Sequence, residues 1–472
     1  MSFVLFVNGL VLMVAGALMM ANAALFRDTW EAFLAPGLLL LAIGLFVALS
    51  VSSRLKALRP LHAFLLTASV WLTAAMAGAL PLHLWSLPLT DAVFEAMSGV
   101  TTTGSTVMVG LDATPRGILA WRALLQWVGG VGFIVTGIAL LPILKVGGMQ
   151  LFRTESSERG DKELASAARF AGATLWIYLA LTGLCAIVYT AGGMTGFEAL
   201  AHAATTLSTG GYSTSDASFG HFQSPFLQWS GTFFMLAGAL PFAWYIRMAR
   251  RGVVRSEQVR ALLGGLSVVI VLLTLWRVAS SDAPFSVALR EVAFNVVSVV
   301  TTTGYATTDY TAWGTPAVAA FFLLTAVGGC TGSTVGGVKT MRWIILARCI
   351  GAQVQQAHSP RGVFIVRYER RPVAPDQIDG VITFFMFFFT TFTLLALSLA
   401  LVGLDFDTAV SGALTALTNV GPGVGPTIGP AGNFSTLPDA AKWLLVFGMY
   451  VGRLEMLTVF VLLTPTFWRE VA

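Results

Sequence analysis

Four short segments hold the residues whose types and spacing could do chemistry: Thr102-Thr103-Gly104, Ser208-Thr209-Gly210-Gly211, Thr302-Thr303-Gly304 and Asn419-Val420-Gly421. They recur at intervals of 107, 93 and 117 residues when Gly211 is taken in the second. Glycine permits dihedrals that aim carbonyl oxygens inward, and a ring of carbonyls can replace the hydration shell of an alkali cation. No side-chain charge is needed for this. Any one copy reads equally well as a small-residue face for close helix packing. Four copies, each between two apolar spans, instead point to re-entrant turns sharing one axis. Irregular backbone at membrane depth survives only when buried in protein or lining a water-filled cavity.

The elements that must position these turns follow from composition and hydropathy. Of the 472 residues, 56% are hydrophobic and 11% charged, where a soluble chain carries about a quarter charged residues. The fold expected is an all-α polytopic membrane protein of about ten transmembrane helices. Apolar spans cover 1–20, 34–53, 61–80, 116–143, 168–191, 222–247, 259–278, 312–350, 377–402 and 436–466. Residues 1–20 imitate a secretory signal ahead of Ala21-Asn22-Ala23, but contain no Lys or Arg, so a retained helix is expected. The organisation expected is two N-terminal transmembrane helices over 1–60, then four pseudo-symmetric helix, pore-loop, helix repeats around one central pore. The repeats cover 61–145, 168–250, 259–350 with a broken second helix, and 377–466. Asp91, Thr195, Ser286 and Asp407 are the candidate caps of the half-helices before each turn. Those half-helices would direct their partly negative C-termini at the axis, which favours a cation.

Alternation with the N-terminus inside puts segments 54–60, 144–169, 247–260, 342–376 and 465–472 on the cytoplasmic side with 20 of the 28 Lys and Arg, as the positive-inside rule requires. Both termini are then cytoplasmic. The outer segments hold thirteen Asp and Glu against six Lys and Arg. That excess either concentrates cations or merely reflects the missing inward bias. Enzyme activity is not expected, because the chain lacks a Ser/His/Asp set, a metal cluster or paired buried carboxylates. The five histidines are scattered without ligand spacing, and the three cysteines suggest neither disulfides nor a thiolate metal site.

With these motifs in place, residues 61–466 resemble the Trk/Ktr/HKT superfamily of potassium transporters. The two extra N-terminal helices, the Thr-Thr-Thr-Gly first loop and the Asn-Val-Gly-Pro-Gly fourth loop resemble the Trk-type membrane subunits TrkH and TrkG. The resemblance implies potassium uptake across the cytoplasmic (inner) membrane. Gly104, Gly304 and Gly421 match the family's filter glycines, and glycine at all four places resembles potassium-selective members. In the second repeat, aligning Tyr212 with Tyr305 selects Gly211, whereas aligning the Ser-Thr-Gly run selects Gly210. Thr102, Thr103, Ser208, Thr209, Thr302, Thr303, Asn419 and Val420 would supply neighbouring carbonyls or hydroxyls. The bound ion implied is potassium, with no organic cofactor in this chain.

The stretch 328–337 holds five glycines in ten residues, each costing roughly 1 kcal/mol relative to alanine in a helix. It fits either a packing face at Gly328, Gly332 and Gly336 or, as favoured here, an unwound segment. By resemblance it is an intramembrane gate loop, comprising Gly328, Gly329, Thr331, Gly332, Ser333, Thr334, Gly336, Gly337 and the following Lys339. Arg453 sits in the last apolar span, where an arginine costs about 2.5 to 3.5 kcal/mol on insertion scales. Either an ion pair compensates it, for which Glu455 is a poor partner on the same helix, or, as the resemblance implies, it faces the pore as a barrier. A charge about 7 Å from the ion at an effective dielectric of ~20 opposes it by roughly 2 kcal/mol.

Glu95 and Glu198 suit the positive ends of half-helices or a solvated vestibule. Gly129, Gly130 and Gly132 read as packing contacts. No nucleotide-binding signature is present, so the resemblance places the nucleotide on a cytosolic TrkA-type regulatory partner. That partner would dock on segments 144–169 and 342–376 of a homodimer surrounded by membrane lipid, and no nucleic acid is involved. A potassium symporter coupled to protons or sodium is the alternative transport mode, and an intramembrane enzyme a remote one.

Overall fold

The computed structural model describes residues 1–53, 60–139, 163–252 and 254–471. Segment 144–169 lies almost wholly outside these residues, as does 54–60 and the end of the span 116–143. Among the described residues the chain is predominantly helical, with one two-stranded hairpin, β1 (Arg367–Tyr368) and β2 (Arg371–Pro372).

Helices α1 (Ser2–Leu25) and α2 (Trp30–Ser52) form an antiparallel pair. Glycine brings their backbones together, since a β-carbon on Gly16 would lie 2.6 Å from the Gly37 carbonyl oxygen, and one on Gly44 2.6 Å from that of Gly9. The order long helix, short buried helix, glycine turn, second helix then recurs four times. The first copy is α3 (Pro60–Trp85), α4 (Leu89–Val100) and α5 (Arg116–Ala139). The second is α6 (Glu163–Ala191), α7 (Gly196–Leu207), α8 (Pro225–Ala239) and α9 (Phe242–Arg251). The third comprises α10 (Glu257–Ser280), α11 (Phe285–Val300), α12 (Thr315–Thr325) and α13 (Thr340–His358). The fourth comprises α14 (Pro375–Leu401), α15 (Phe406–Thr418), α16 (Asp439–Leu454) and α17 (Met456–Leu462), followed by α18 (Pro465–Val471).

Among the described residues six helices are long and apolar enough to cross a bilayer, or eight if two bent pairs each count as one span. The count of about ten from apolar runs also includes 116–143, whose end lies outside the described residues, and run length is blind to breaks. The run 312–350 divides into α12, of 11 residues, and α13, of 19. Helices α8 and α9 meet at 89° across Leu240-Pro241, where proline cannot donate a helix hydrogen bond. Helices α16 and α17 meet at 110° across Glu455, whose φ is +63°.

The short helices α4, α7, α11 and α15 have 12, 12, 16 and 13 residues. At 1.5 Å per residue they reach about 18 to 24 Å, less than the ~30 Å hydrocarbon core. Their starts differ in part from expectation. Thr195 caps α7 in a reciprocal box with Glu198, the Glu198 amide donating to Thr195 Oγ1 at 3.3 Å and the Thr195 amide to Glu198 Oε2 at 2.9 Å. Asp405, not Asp407, caps α15. It accepts from the Thr408 amide at 3.0 Å, and that bond holds its carboxyl below the usual carboxylate range. Helices α4 and α11 begin directly after Pro88 and Pro284 without a side-chain cap. Asp91 instead pairs with Lys442 of α16 at 2.6 Å, and Ser286 lies within the first turn of α11.

Two apolar clusters flank the short helices. One joins α1 to α5 with α13 to α17, and the other joins α6 to α12.

Candidate functional site

Each short helix ends in a residue with left-handed backbone two positions before a glycine of positive φ. The pairs are Thr102 (+54°) with Gly104 (+86°), Thr209 (+53°) with Gly211 (+72°), Thr302 (+52°) with Gly304 (+80°), and Asn419 (+55°) with Gly421 (+106°). The backbone therefore repeats at the intervals read from the sequence, and Gly211, not Gly210, occupies the place of the other three glycines. Gly210 instead stands with Thr103, Thr303 and Val420, one residue earlier.

These turns close on one another. A β-carbon on Gly104 would fall 2.1 Å from the carbonyl oxygen of Gly210, on Gly211 1.8 Å from that of Thr303, on Gly304 2.1 Å from that of Val420, and on Gly421 2.8 Å from that of Thr103. The contacts run from first turn to second, second to third, third to fourth, and fourth back to first. All four turns thus form one ring, with the C-terminal ends of four buried helices leading into it. Helix carbonyls left without intrahelical partners carry partial negative charge, so the ring suits a cation. Its outer mouth is a cavity of about 300 Å³ bordered by Gly104, Gly211, Gly304 and Gly421.

A shell of buried polar groups holds the ring. Gln126 of α5 donates from Nε2 to the Gly210 carbonyl at 2.6 Å and accepts from the Tyr212 amide at 3.0 Å, clamping both sides of Gly211. Asn419 Nδ2 donates to Thr103 Oγ1 at 3.0 Å and to the Met449 carbonyl at 2.9 Å, and Ser105 Oγ donates to the Gly421 carbonyl at 2.9 Å. The Tyr212 hydroxyl donates to the Glu95 carbonyl at 2.8 Å, and Ser298 Oγ to the Tyr305 carbonyl at 2.6 Å.

Glu95 is neither a dipole partner alone nor a solvated vestibule charge: it is fully buried and paired with Arg122 at 2.8 Å. Arg122 also donates to the Ser213 carbonyl at 3.1 Å and stacks over the Tyr212 ring at 4.1 Å, so this pair joins the first turn to the second. His202, likewise buried, bonds the Glu198 carbonyl and Ser213 Oγ. Glycines in the second helices let these supports approach. Gly129, Gly238 and Gly452 would carry β-carbons 2.0, 3.1 and 2.2 Å from the carbonyls of Val100, Leu207 and Leu417, each two residues before the left-handed position.

Under the ring runs the non-helical stretch 326–339, which joins α12 to α13. It is anchored by the Cys330 amide on the Ala239 carbonyl (3.1 Å), the Thr331 amide on Gln258 Oε1 (3.0 Å) and the Gly332 carbonyl accepting from the Phe242 amide (2.9 Å). Thr334 Oγ1 lies 3.0 Å from the carbonyls of both Leu207 and Gly238. The Gly336 amide donates to Thr302 Oγ1 at 2.8 Å, and a β-carbon there would lie 2.6 Å from the Thr418 carbonyl. The stretch therefore touches the inner side of the second, third and fourth turns.

Lys339 folds back onto the carbonyls of Val335 and Gly336. Beside it, Arg342 pairs with Glu455 at 2.6 Å and lies over the Phe384 ring at 3.8 Å. Glu455 thus finds its partner on another helix. Arg453 is buried in the last turn of α16, 5.8 Å from the Trp71 ring. Lys339, Arg453, Glu455 and Gly336 border a cavity of about 10 Å³, the scale of one water. That cavity has no room for a hydrated ion.

Sequence reading missed Gln126, the Glu95–Arg122 pair and the Arg342–Glu455 pair. The available signal for Gln126 was a polar residue one turn after Arg122 and one turn before Gly129 in a largely apolar helix.

A family model described as a cation transport protein, TrkH, matches residues 31–469. The Trk system potassium uptake protein TrkI of Halomonas elongata is 52% identical over 419 residues, covering 88% of this chain and 85% of that protein. TrkH of Escherichia coli strain K12 is 36% identical over 448 residues, covering 90% and 91%. The crystal structure of the potassium transporter TrkH from Vibrio parahaemolyticus superposes with a TM-score of 0.89 at 32% identity, covering 99% of both chains.

Proposed function

The chain belongs to the TrkH family of cation transport proteins, a transport family and not one of enzymes, and from that premise we propose that it takes up potassium across the cytoplasmic membrane through the ring of main-chain carbonyls. The observation that carries this reading is the cyclic closure of the four glycine turns, each glycine lying against a carbonyl of the next. In it, Gly104, Gly211, Gly304 and Gly421, with the residues before them, coordinate potassium as transported substrate. Oxygen dipoles replace water, and size and sign selection both follow.

In the same reading the stretch 328–339 is the gate. It supports this role that the loop lies against three of the four turns, where the adjoining cavity has about the volume of one water. Opening requires the Thr334 and Gly336 contacts to part. Arg453 and Lys339 oppose cation occupancy below the ring and limit flux. Both termini are cytoplasmic, the protein acts as a homodimer, and a cytosolic TrkA-type nucleotide-binding subunit docks on segments 144–169 and 342–376 and sets the gate.

Flux measured in liposomes reconstituted with the purified protein tests this. Potassium flux exceeding sodium flux, with a reversal potential unmoved by an imposed proton gradient, is the expected result. Equal potassium and sodium fluxes overturn the carbonyl filter. A reversal potential that follows the proton gradient replaces channel-like uptake by symport.

A further inference from the structure

The cytoplasmic ends of α10 and α13, together with the β1–β2 hairpin, enclose a groove of about 940 Å³. It is separate from the ring and from the loop beneath it. Five arginines border it, Arg255, Arg260, Arg348, Arg367 and Arg370, against two carboxylates, Glu257 and Glu369. Both carboxylates are engaged within the fold. Glu257 pairs with Arg348 and accepts from the Glu369 amide at 2.8 Å, while Glu369 accepts from the Glu257 amide at 2.6 Å. Arg255, Arg260, Arg367 and Arg370 are exposed, so the groove presents an excess of positive charge.

Its depth follows from helix geometry. Helix α12, of 11 residues, and the loop after it precede Thr340, which therefore starts near mid-membrane. At 1.5 Å per residue, Gly351 on the groove wall lies about 16 Å further on, close to the half-thickness of a ~30 Å hydrocarbon core. Apolar side chains stand exposed on the same elements: Val254 beside Arg255, Ile350 and Val354 on α13, and Val363 and Ile365 on the groove wall. A group of such residues beside arginines is uncommon on a face wetted only by water. It suits a surface where acyl chains meet phosphates, because arginine stems cover apolar area while their heads reach the headgroup layer.

We propose that this groove binds an anionic phospholipid, its phosphodiester held among Arg255, Arg260, Arg367 and Arg370 and its acyl chains against the exposed Val354, Val363 and Ile365. Binding is read as retained lipid, so the outcome does not depend on which ion the ring passes. The test is native mass spectrometry of the full chain in detergent, supplied with phosphatidylglycerol or phosphatidylcholine. The wild type retains phosphatidylglycerol at least about tenfold more than phosphatidylcholine. The combined variant Arg255→Gln, Arg260→Gln, Arg367→Gln, Arg370→Gln loses that preference while its thermal unfolding in detergent stays unchanged.

The matching fourfold Arg→Lys variant keeps most of the preference, which separates lost charge from a damaged fold. Three results overturn the proposal: equal retention of the two lipids by the wild type, undiminished phosphatidylglycerol on the glutamine variant, or displacement of the lipid by millimolar inorganic phosphate. The last would make the groove a site for soluble anions.

Discussion

Replacing Gly211 by alanine separates the ring's geometry from ordinary backbone strain, because the fold contains a matched control. Gly211 has φ +72° and Gly110 has φ +76°, so alanine at either place pays the same left-handed cost, about 1 to 2 kcal/mol. A β-carbon on Gly110 meets nothing within 4 Å, whereas one on Gly211 falls 1.8 Å from the Thr303 carbonyl oxygen. Restoring ordinary contact at 3.4 Å opens that joint by 3.4 minus 1.8, or 1.6 Å. On the proposed potassium reading, displacing one ring carbonyl by that distance removes the match to a dehydrated ion.

Potassium and sodium uptake are measured in reconstituted liposomes, with thermal unfolding recorded alongside. Gly110→Ala is expected to lower stability by about 1 kcal/mol and leave the potassium to sodium ratio unaltered. Gly211→Ala is expected to lower that ratio at least about tenfold, the equivalent of 1.4 kcal/mol. The contacts also rank the series. Gly104→Ala and Gly304→Ala, at 2.1 Å, come next, and Gly421→Ala, at 2.8 Å, is mildest. Equal loss of selectivity in Gly110→Ala and Gly211→Ala, or no loss in either, refutes the reasoning.

Arg453→Ala is expected to raise potassium flux in the same assay at unchanged expression, and flux that stays level or drops contradicts its barrier role. Gln126→Met deletes the donor to the Gly210 carbonyl and strands the buried Tyr212 amide, which costs about 1 to 3 kcal/mol. Its unfolding temperature and its potassium to sodium ratio should fall together, and a fall in stability alone would restrict Gln126 to packing. Glu95→Gln leaves the Arg122 charge buried without its partner at a cost of about 3 to 5 kcal/mol. Thermal unfolding of Glu95→Gln, Arg122→Met and the double variant should show the double to be less destabilised than the two single changes summed.

The glycine turns were legible because a backbone that bends left-handed at membrane depth selects glycine and small residues whatever surrounds it, and four copies leave a spacing. The choice between Gly210 and Gly211 was not, since both alignments satisfy the residue pattern and only φ separates them. The break at 326–339 followed from glycine content alone. The bend at Glu455 did not, because a glutamate at φ +63° is held there by its surroundings, including Arg342 113 positions earlier. The clamp from Gln126 to Gly210 spans 84 positions and the pair Glu95–Arg122 spans 27. Such contacts exist only after the helices pack, so residue type announces that a partner is needed without saying which. The caps failed for a local reason: Asp91 and Ser286 have the right side chains, but α4 and α11 begin directly after prolines upstream of them.

Because the circle is assembled from four unlike pieces of one polypeptide, a codon change strikes a single quadrant. An assembly of four identical subunits would suffer the same alteration at every corner simultaneously. On the proposed potassium reading, discrimination between ions can drift by quarter steps, Met235 and Met449 standing three residues before Gly238 and Gly452 as Gln126 stands before Gly129. The stretch 326–339 leans on the second, third and fourth quadrants, so an alteration in any of those three is felt along it as well.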